Sequence, residues 1–146
     1  MTQGALIALI VACIWGINPI FEKLSLKTAT PYSVITIRFL FTAFCLAVIT
    51  LTTGRLEEIT KVDGRSLFWI LLSGLAGGLI GLFLFFVALK QEDTSKVVPI
   101  VATFPMFTAI YAYFLLGETI SLKRAIGILF VVIGAILINI KETVID

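Results

Sequence analysis

"MTQGALIALIVACIWGINPIFEK", Met1 to Lys23, is the stretch on which the fold turns. It carries no ionisable side chain other than Cys13 before Glu22. A helix that crosses a bilayer needs about 20 mostly apolar residues, and this segment supplies them. A secretory signal begins with basic residues. None stands before Lys23, so the segment is expected to be a retained membrane helix. Its last turns then pose a question, because Asn18, Pro19 and Glu22 sit where an apolar end is expected. Trp15, Asn18 and Glu22 are spaced three and four apart, which puts them in one stripe on a helix. Pro19 removes a backbone donor and frees a carbonyl beside that stripe, so it is read as a kink position.

The rest of the chain agrees with a membrane setting. Of its 146 residues, 60% are hydrophobic and 14% charged, and the mean hydropathy is +1.13. A soluble domain carries about 25% charged residues. The net charge of +2 is too small to suggest nucleic acid. There is no histidine, and Cys13 and Cys45 stand apart within apolar runs. They read as small packing residues, leaving no cofactor or metal expected. No Walker-type glycine loop, HExxH or Ser/His/Asp set occurs, so nothing points to an enzyme.

Five segments have membrane-crossing length: Gly4–Phe21, Tyr32–Thr53, Ser66–Leu89, Val97–Leu116 and Ala125–Ile140. The last is short unless Arg124 and Lys141 reach outward to the interfaces. The connectors are brief, so neighbouring spans run antiparallel and no soluble domain is expected. The fold class is therefore an all-α membrane protein with five transmembrane helices in a single domain over residues 1–146. One membrane face receives Arg55, Lys61, Arg65, Lys123 and Arg124, and the other Lys23, Lys27, Lys90, Lys96 and Lys141. Orientation normally follows an excess of Lys and Arg on the cytoplasmic side. The two sets are equal in size. Either one end charge decides, or the chain inserts both ways and pairs with an inverted copy.

Polar residues inside the spans are the candidates for function. Arg38 lies about 10 Å along the second span from Tyr32. An intramembrane arginine costs at least ~2.5 kcal/mol on insertion scales, so it should pair or line water. Glu22 approaches the membrane from the same side, which makes a Glu22–Arg38 or a Glu22–substrate contact the expectation. Gly74 and Gly78, and Gly77 and Gly81, are four apart in the third span, a spacing that lets another helix approach closely. Gly127 and Gly134 form a packing strip in the fifth. Pro99 and Pro105 interrupt the fourth span, and Pro105 is read as a kink. Thr108 and Tyr111 follow it at threes as a second polar stripe. Kinked helices near the midplane are favoured places for transporter substrate sites.

"IWGINPIFEK", "IRFLFTAF", "FFVALK" and "ATFPMFTAIYAYFLLGETISLKRAIGILFVVIGAIL" together resemble an EamA domain of the drug/metabolite transporter superfamily. The matching positions are Trp15, Gly16, Lys23, Arg38, Ala88, Leu89, Pro105, Gly117, Glu118, Gly127 and Gly134. The resemblance covers nearly the whole chain. It implies secondary transport of small organic solutes such as amino acids, purines, metabolites or drugs, by alternating access. Relatives usually join two such five-helix domains in inverted orientation, with the pathway between them and lined by spans one, three and four. This chain has one domain, so the resemblance implies a dimer: a homodimer, antiparallel if the topology is dual, or a heterodimer with another half-transporter. Membrane lipid and a small-molecule substrate are its other expected partners. By the same resemblance Asn18, Pro19 and Glu22 fall where the family varies, so they are expected to govern substrate choice. Lys23 and Glu118 match recurrent family positions but lie at helix ends.

Two other readings stay open. Glu22 and the adjacent "LSLK" resemble the small multidrug resistance proteins, four-helix dual-topology dimers that export cations through a first-helix glutamate. Here Glu22 lies nearer the helix end, and there is a fifth span. The other reading is a non-transporting membrane subunit or a strict heterodimer.

Overall fold

The computed structural model describes residues 2–140. Lys141, one of the charges weighed for orientation, lies outside the described residues. Among them every regular element is helical, and five helical stretches are long and apolar enough to cross a membrane: Gln3–Ser25, Pro31–Thr52, Gly64–Gln91, Thr94–Leu116 and Leu122–Asn139. Helices suit that setting because each satisfies its own backbone hydrogen bonds where no water can. The described chain forms two compact units, one up to Gln91 and one from Glu92 onward.

The first unit begins with α1 (Gln3–Ser25), capped by the Thr2 side chain, which accepts from the Ala5 N–H. Pro19 lies inside α1. The helix ends in "LSLKTATP", where the Ser25 hydroxyl donates to the Glu22 carbonyl at 2.8 Å and Leu26 is buried. Thr30 then caps α2 (Pro31–Thr52), accepting from the Ser33 N–H at 3.2 Å, with Pro31 at the first helical position. Proline is harmless there, since its missing N–H had no helical partner to lose. The loop after α2, expected to be plain connector, contains a short helix, α3 (Leu56–Thr60).

Asp63 caps α4 (Gly64–Ser73), and the same span continues through a π-helical segment, Gly74–Gly81, into α5 (Leu82–Gln91). In that segment the Leu82 N–H reaches back five residues to the Gly77 carbonyl. Four of its eight residues, Gly74, Gly77, Gly78 and Gly81, are glycine. A methyl group added at Gly78 would stand 3.5 Å from the Phe39 ring of α2, which is ordinary contact, and one at Gly74 or Gly77 would meet nothing within 4 Å. At Gly81 it would lie 3.1 Å from the Ala76 carbonyl oxygen, a consequence of the wider helical winding. Below the segment, α5 packs against both α1 and α2. Its Phe86 and Leu89 are 0% exposed and form the core of this unit together with Leu26 and Ile35.

The second unit holds α6 (Thr94–Val101), α7 (Phe104–Leu116) and α8 (Leu122–Asn139). The fourth span breaks at Ala102–Thr103. Pro105 occupies the first turn of α7, and Pro99 sits inside α6. A proline in the first turn forfeits no hydrogen bond, so breaking and restarting relieves the conflict that a mid-helix Pro105 would create. α7 ends at Gly117, whose φ of 67° is left-handed. There glycine avoids a steric cost of roughly 1–2 kcal/mol for other residues. Ser121 caps α8, accepting from the Arg124 N–H. Both α6 and α7 pack on α8, where Val97 and Ala135 are buried. Large apolar side chains are exposed along all spans, as lipid or a partner requires.

Candidate functional site

Within the first unit, the last turns of α1 and the third turn of α2 bring three polar side chains together. The Glu22 carboxylate is the buried polar side chain of the unit, at 5% exposure. Its Oε1 accepts from Asn18 Nδ2 at 2.9 Å and from Arg38 Nη1, which also makes the ion pair. Asn18 and Glu22 are four apart on one helix, so the amide hangs directly over the carboxylate. Arg38 arrives from α2 with its side chain 39% exposed. Both donors converge on one oxygen. Among the described residues, the other oxygen, Oε2, is buried and accepts nothing.

A second tie fixes the end of α1. Lys23 Nζ donates to the Leu89 carbonyl at the end of α5, and Lys90 Nζ to the Ala29 carbonyl at 3.3 Å. Cations at a helix C-terminus satisfy carbonyls that have no helical partner. The pair thus clamps α1 and the following turn to α5, beside the polar cluster.

The other sequence candidates lie elsewhere. Trp15 shares the α1 stripe yet is 68% exposed and stands outside the Asn18–Glu22–Arg38 contacts. In the second unit, Pro105 and Thr108 line a cleft of about 230 Å³ together with Phe104, Glu118, Arg124 and Ile128. The Thr108 hydroxyl donates to the Phe104 carbonyl at 3.1 Å, so it satisfies its own helix. Tyr111 is 59% exposed and does not line that cleft. Gly127 and Gly134 face open space, with nothing within 4 Å of an added methyl group. Among the described residues, no group of three or more His, Cys, Asp or Glu side chains could hold a metal ion.

The residues that sequence reasoning placed only at helix ends acquire contacts here. Lys23 holds Leu89, two positions that the resemblance had matched independently of each other. Glu118 and Arg124 join Thr108 in one cleft because Gly117 turns the chain back at the end of α7. The left-handed glycine followed by a charged residue was the available signal.

Residues 2–140 match the EamA-like transporter family. Among curated proteins, an uncharacterized transporter of a Sinorhizobium species is 29% identical over 133 residues, covering 91% of this chain and 94% of that protein. An uncharacterized protein of Methanocaldococcus jannaschii is 26% identical over 142 residues, covering 97% of this chain and all of that protein. An uncharacterized inner membrane transporter of Escherichia coli is 27% identical over 135 residues, covering 92% of this chain but 42% of the relative. The chain thus spans the length of some relatives and less than half of others. No solved structure matches it. With five membrane-length helices and a family match along nearly its whole length, the chain belongs to the EamA-like transporter family and is an integral, multi-pass membrane transporter of the drug/metabolite superfamily.

Proposed function

We propose that the protein is a half-size secondary transporter that moves a small organic solute by alternating access and builds its pathway with a second, inverted copy. The observation that carries this reading is the Asn18–Glu22–Arg38 cluster around the buried Glu22 carboxylate. Charged groups inside a membrane span are costly and mark substrate or ion pathways by default. A purely structural role would favour satisfying both carboxylate oxygens, and Oε2 is left over. Trp15, on the same stripe, and the Pro105–Thr108–Tyr111 stripe are the further candidates to meet solute, with Pro19 and Pro105 as the places where the helices yield. Dimerisation is supported by relatives more than twice as long as the matched region and by the equal division of basic residues between the two faces. An export mode specific for cations is disfavoured, because Arg38 already neutralises Glu22.

Counterflow in proteoliposomes tests the reading. Vesicles preloaded with amino acids, nucleobases, organic acids or organic cations are assayed for uptake of the labelled form of each. Protein-dependent counterflow of at least one class, lost in Arg38→Met, is the expected result. Absence of counterflow for every class, with folded protein in the bilayer, contradicts it.

A further inference from the structure

We infer that Glu22 is a tethered stand-in for an anionic substrate on Arg38, and that displacing it loads one proton onto Glu22. This rests on the transporter reading and names its substrate class, a small organic anion bearing a carboxylate, sulfonate or phosphate.

Arg38 presents five N–H donors in a fixed fork that matches planar or tetrahedral oxyanions. The contacts of Glu22 with it engage Nη1 through one oxygen only, so the forked, two-oxygen geometry that guanidinium groups favour is not formed. Arg38 also keeps 39% of its side chain exposed, so an incoming anion can reach it while Glu22 is 94% covered. An anion that takes the fork leaves Glu22 without its counter-charge in a site of low dielectric. An unpaired buried carboxylate is expensive and is relieved by neutralisation. Oε2, buried and without a hydrogen-bond partner, is the atom available to take that proton. The balance is simple. The Arg38–Glu22 ion pair breaks, an Arg38–anion pair forms, and one proton passes from water to Oε2. The net charge of the site is the same before and after, so the loaded site crosses as a neutral unit.

Among the membrane-spanning helices of the first unit, Glu22 is the sole proton acceptor of this kind. It is the one carboxylate in α1, α2, α4, the π segment and α5. Of the cations on these helices, Lys23 of α1 donates to the Leu89 carbonyl, Lys90 of α5 to the Ala29 carbonyl, Arg65 stands in the first turn of α4, and Arg38 pairs with Glu22 itself. The π segment carries none. Asn18 supplies a neutral donor that a protonated Glu22 keeps on Oε1.

Three permanent probes of similar size separate the outcomes: benzenesulfonate, benzyltrimethylammonium and benzyl alcohol. None titrates near neutrality, so any pH effect belongs to the protein. Binding to the purified protein is read by thermal stabilisation at about pH 5.5 and about pH 7.5. Benzenesulfonate is expected to stabilise most and to weaken about tenfold toward the higher pH, as Glu22 competes for Arg38. Glu22→Gln should retain benzenesulfonate binding and lose the pH effect, and Arg38→Gln should lose binding. A second readout needs no variant: one proton taken up from weakly buffered solution for each sulfonate bound by the unaltered protein. Preference for the cation, anion binding without proton uptake, or an unchanged pH effect in a folded Glu22→Gln protein overturns the inference. If those results appear while counterflow of another solute class persists, the anion site fails and the transporter reading stands.

Discussion

Replacing Arg38 with methionine isolates the energetic asymmetry of the polar cluster. Methionine keeps an unbranched chain of similar reach but removes the guanidinium, leaving Glu22 at 5% exposure with Asn18 as its hydrogen-bonded neighbour. Breaking a buried pair by removing one partner costs about 3–5 kcal/mol. Ordinary polar contacts between membrane helices average about 0.6 kcal/mol, because the unfolded chain in the membrane also finds partners. The stranded group here is a charge and not a hydroxyl, so the first figure governs. Arg38 is itself 39% exposed, so the protein encloses the pair only in part, and that places the cost at the lower end, about 3 kcal/mol. Glu22→Gln strands only the cation, whose long side chain can extend toward the interface, and keeps an acceptor for Asn18, so about 1 kcal/mol is expected. The double variant removes both charges and should cost close to the milder single change, well short of the sum. Equilibrium unfolding by steric trapping in bicelles gives the four free energies of this cycle. An Arg38→Met protein within about 0.5 kcal/mol of the unaltered one, or strict additivity in the double variant, refutes the reasoning.

Three further expectations concern the scaffold. Gly77→Ala should be neutral or stabilising by up to about 1 kcal/mol, since its methyl enters open space, whereas Gly81→Ala presses on the Ala76 carbonyl and should lower the unfolding temperature. Gly117→Ala forces a side chain into a left-handed position and should cost about 1–2 kcal/mol in the same assay. Hydrogen bonds from the Ser66 side chain and N–H, and then from the Arg65 N–H, hold Asp63 below the usual carboxylate range. Because its folded value is depressed, this stabilisation is present above the unfolded value of about 3.9 and is lost as pH falls through the folded one. Asp63→Asn should remove that part of the acid dependence of the melting temperature.

Much of the fold was legible because a bilayer imposes a single demand, a long apolar helix, and length and hydropathy answer it directly. Span positions moved by a few residues only, as with Gly4–Phe21 becoming Gln3–Ser25. What stayed hidden depends on winding and not on composition. The glycines at 74, 77, 78 and 81 read as a packing surface, yet they also form the π segment, and Gly78 alone meets another helix, at Phe39. The break at Ala102–Thr103 was blurred because Pro105 signals either a kink or a new helix start. Of the polar residues, the juxtaposition of Glu22 and Arg38 followed from their approach to the membrane from the same side on spans joined by a short turn, and the structure brings them together. Asn18 joined them by its spacing to Glu22. The anchoring of Lys23 on Leu89 spans 66 residues of sequence, and no local pattern announces so distant a partner.

The central proposal, a pathway shared with an inverted copy, is tested most directly by topology. In a Cys13→Ala/Cys45→Ala background, single cysteines are placed at Glu58 in the second loop or Asp93 in the third. Intact cells are then labelled with a membrane-impermeant maleimide. Inverted pairing of identical chains predicts that each position labels in about half of the molecules. One position labelling fully and the other not at all would contradict it, and would direct the search to a separate partner subunit.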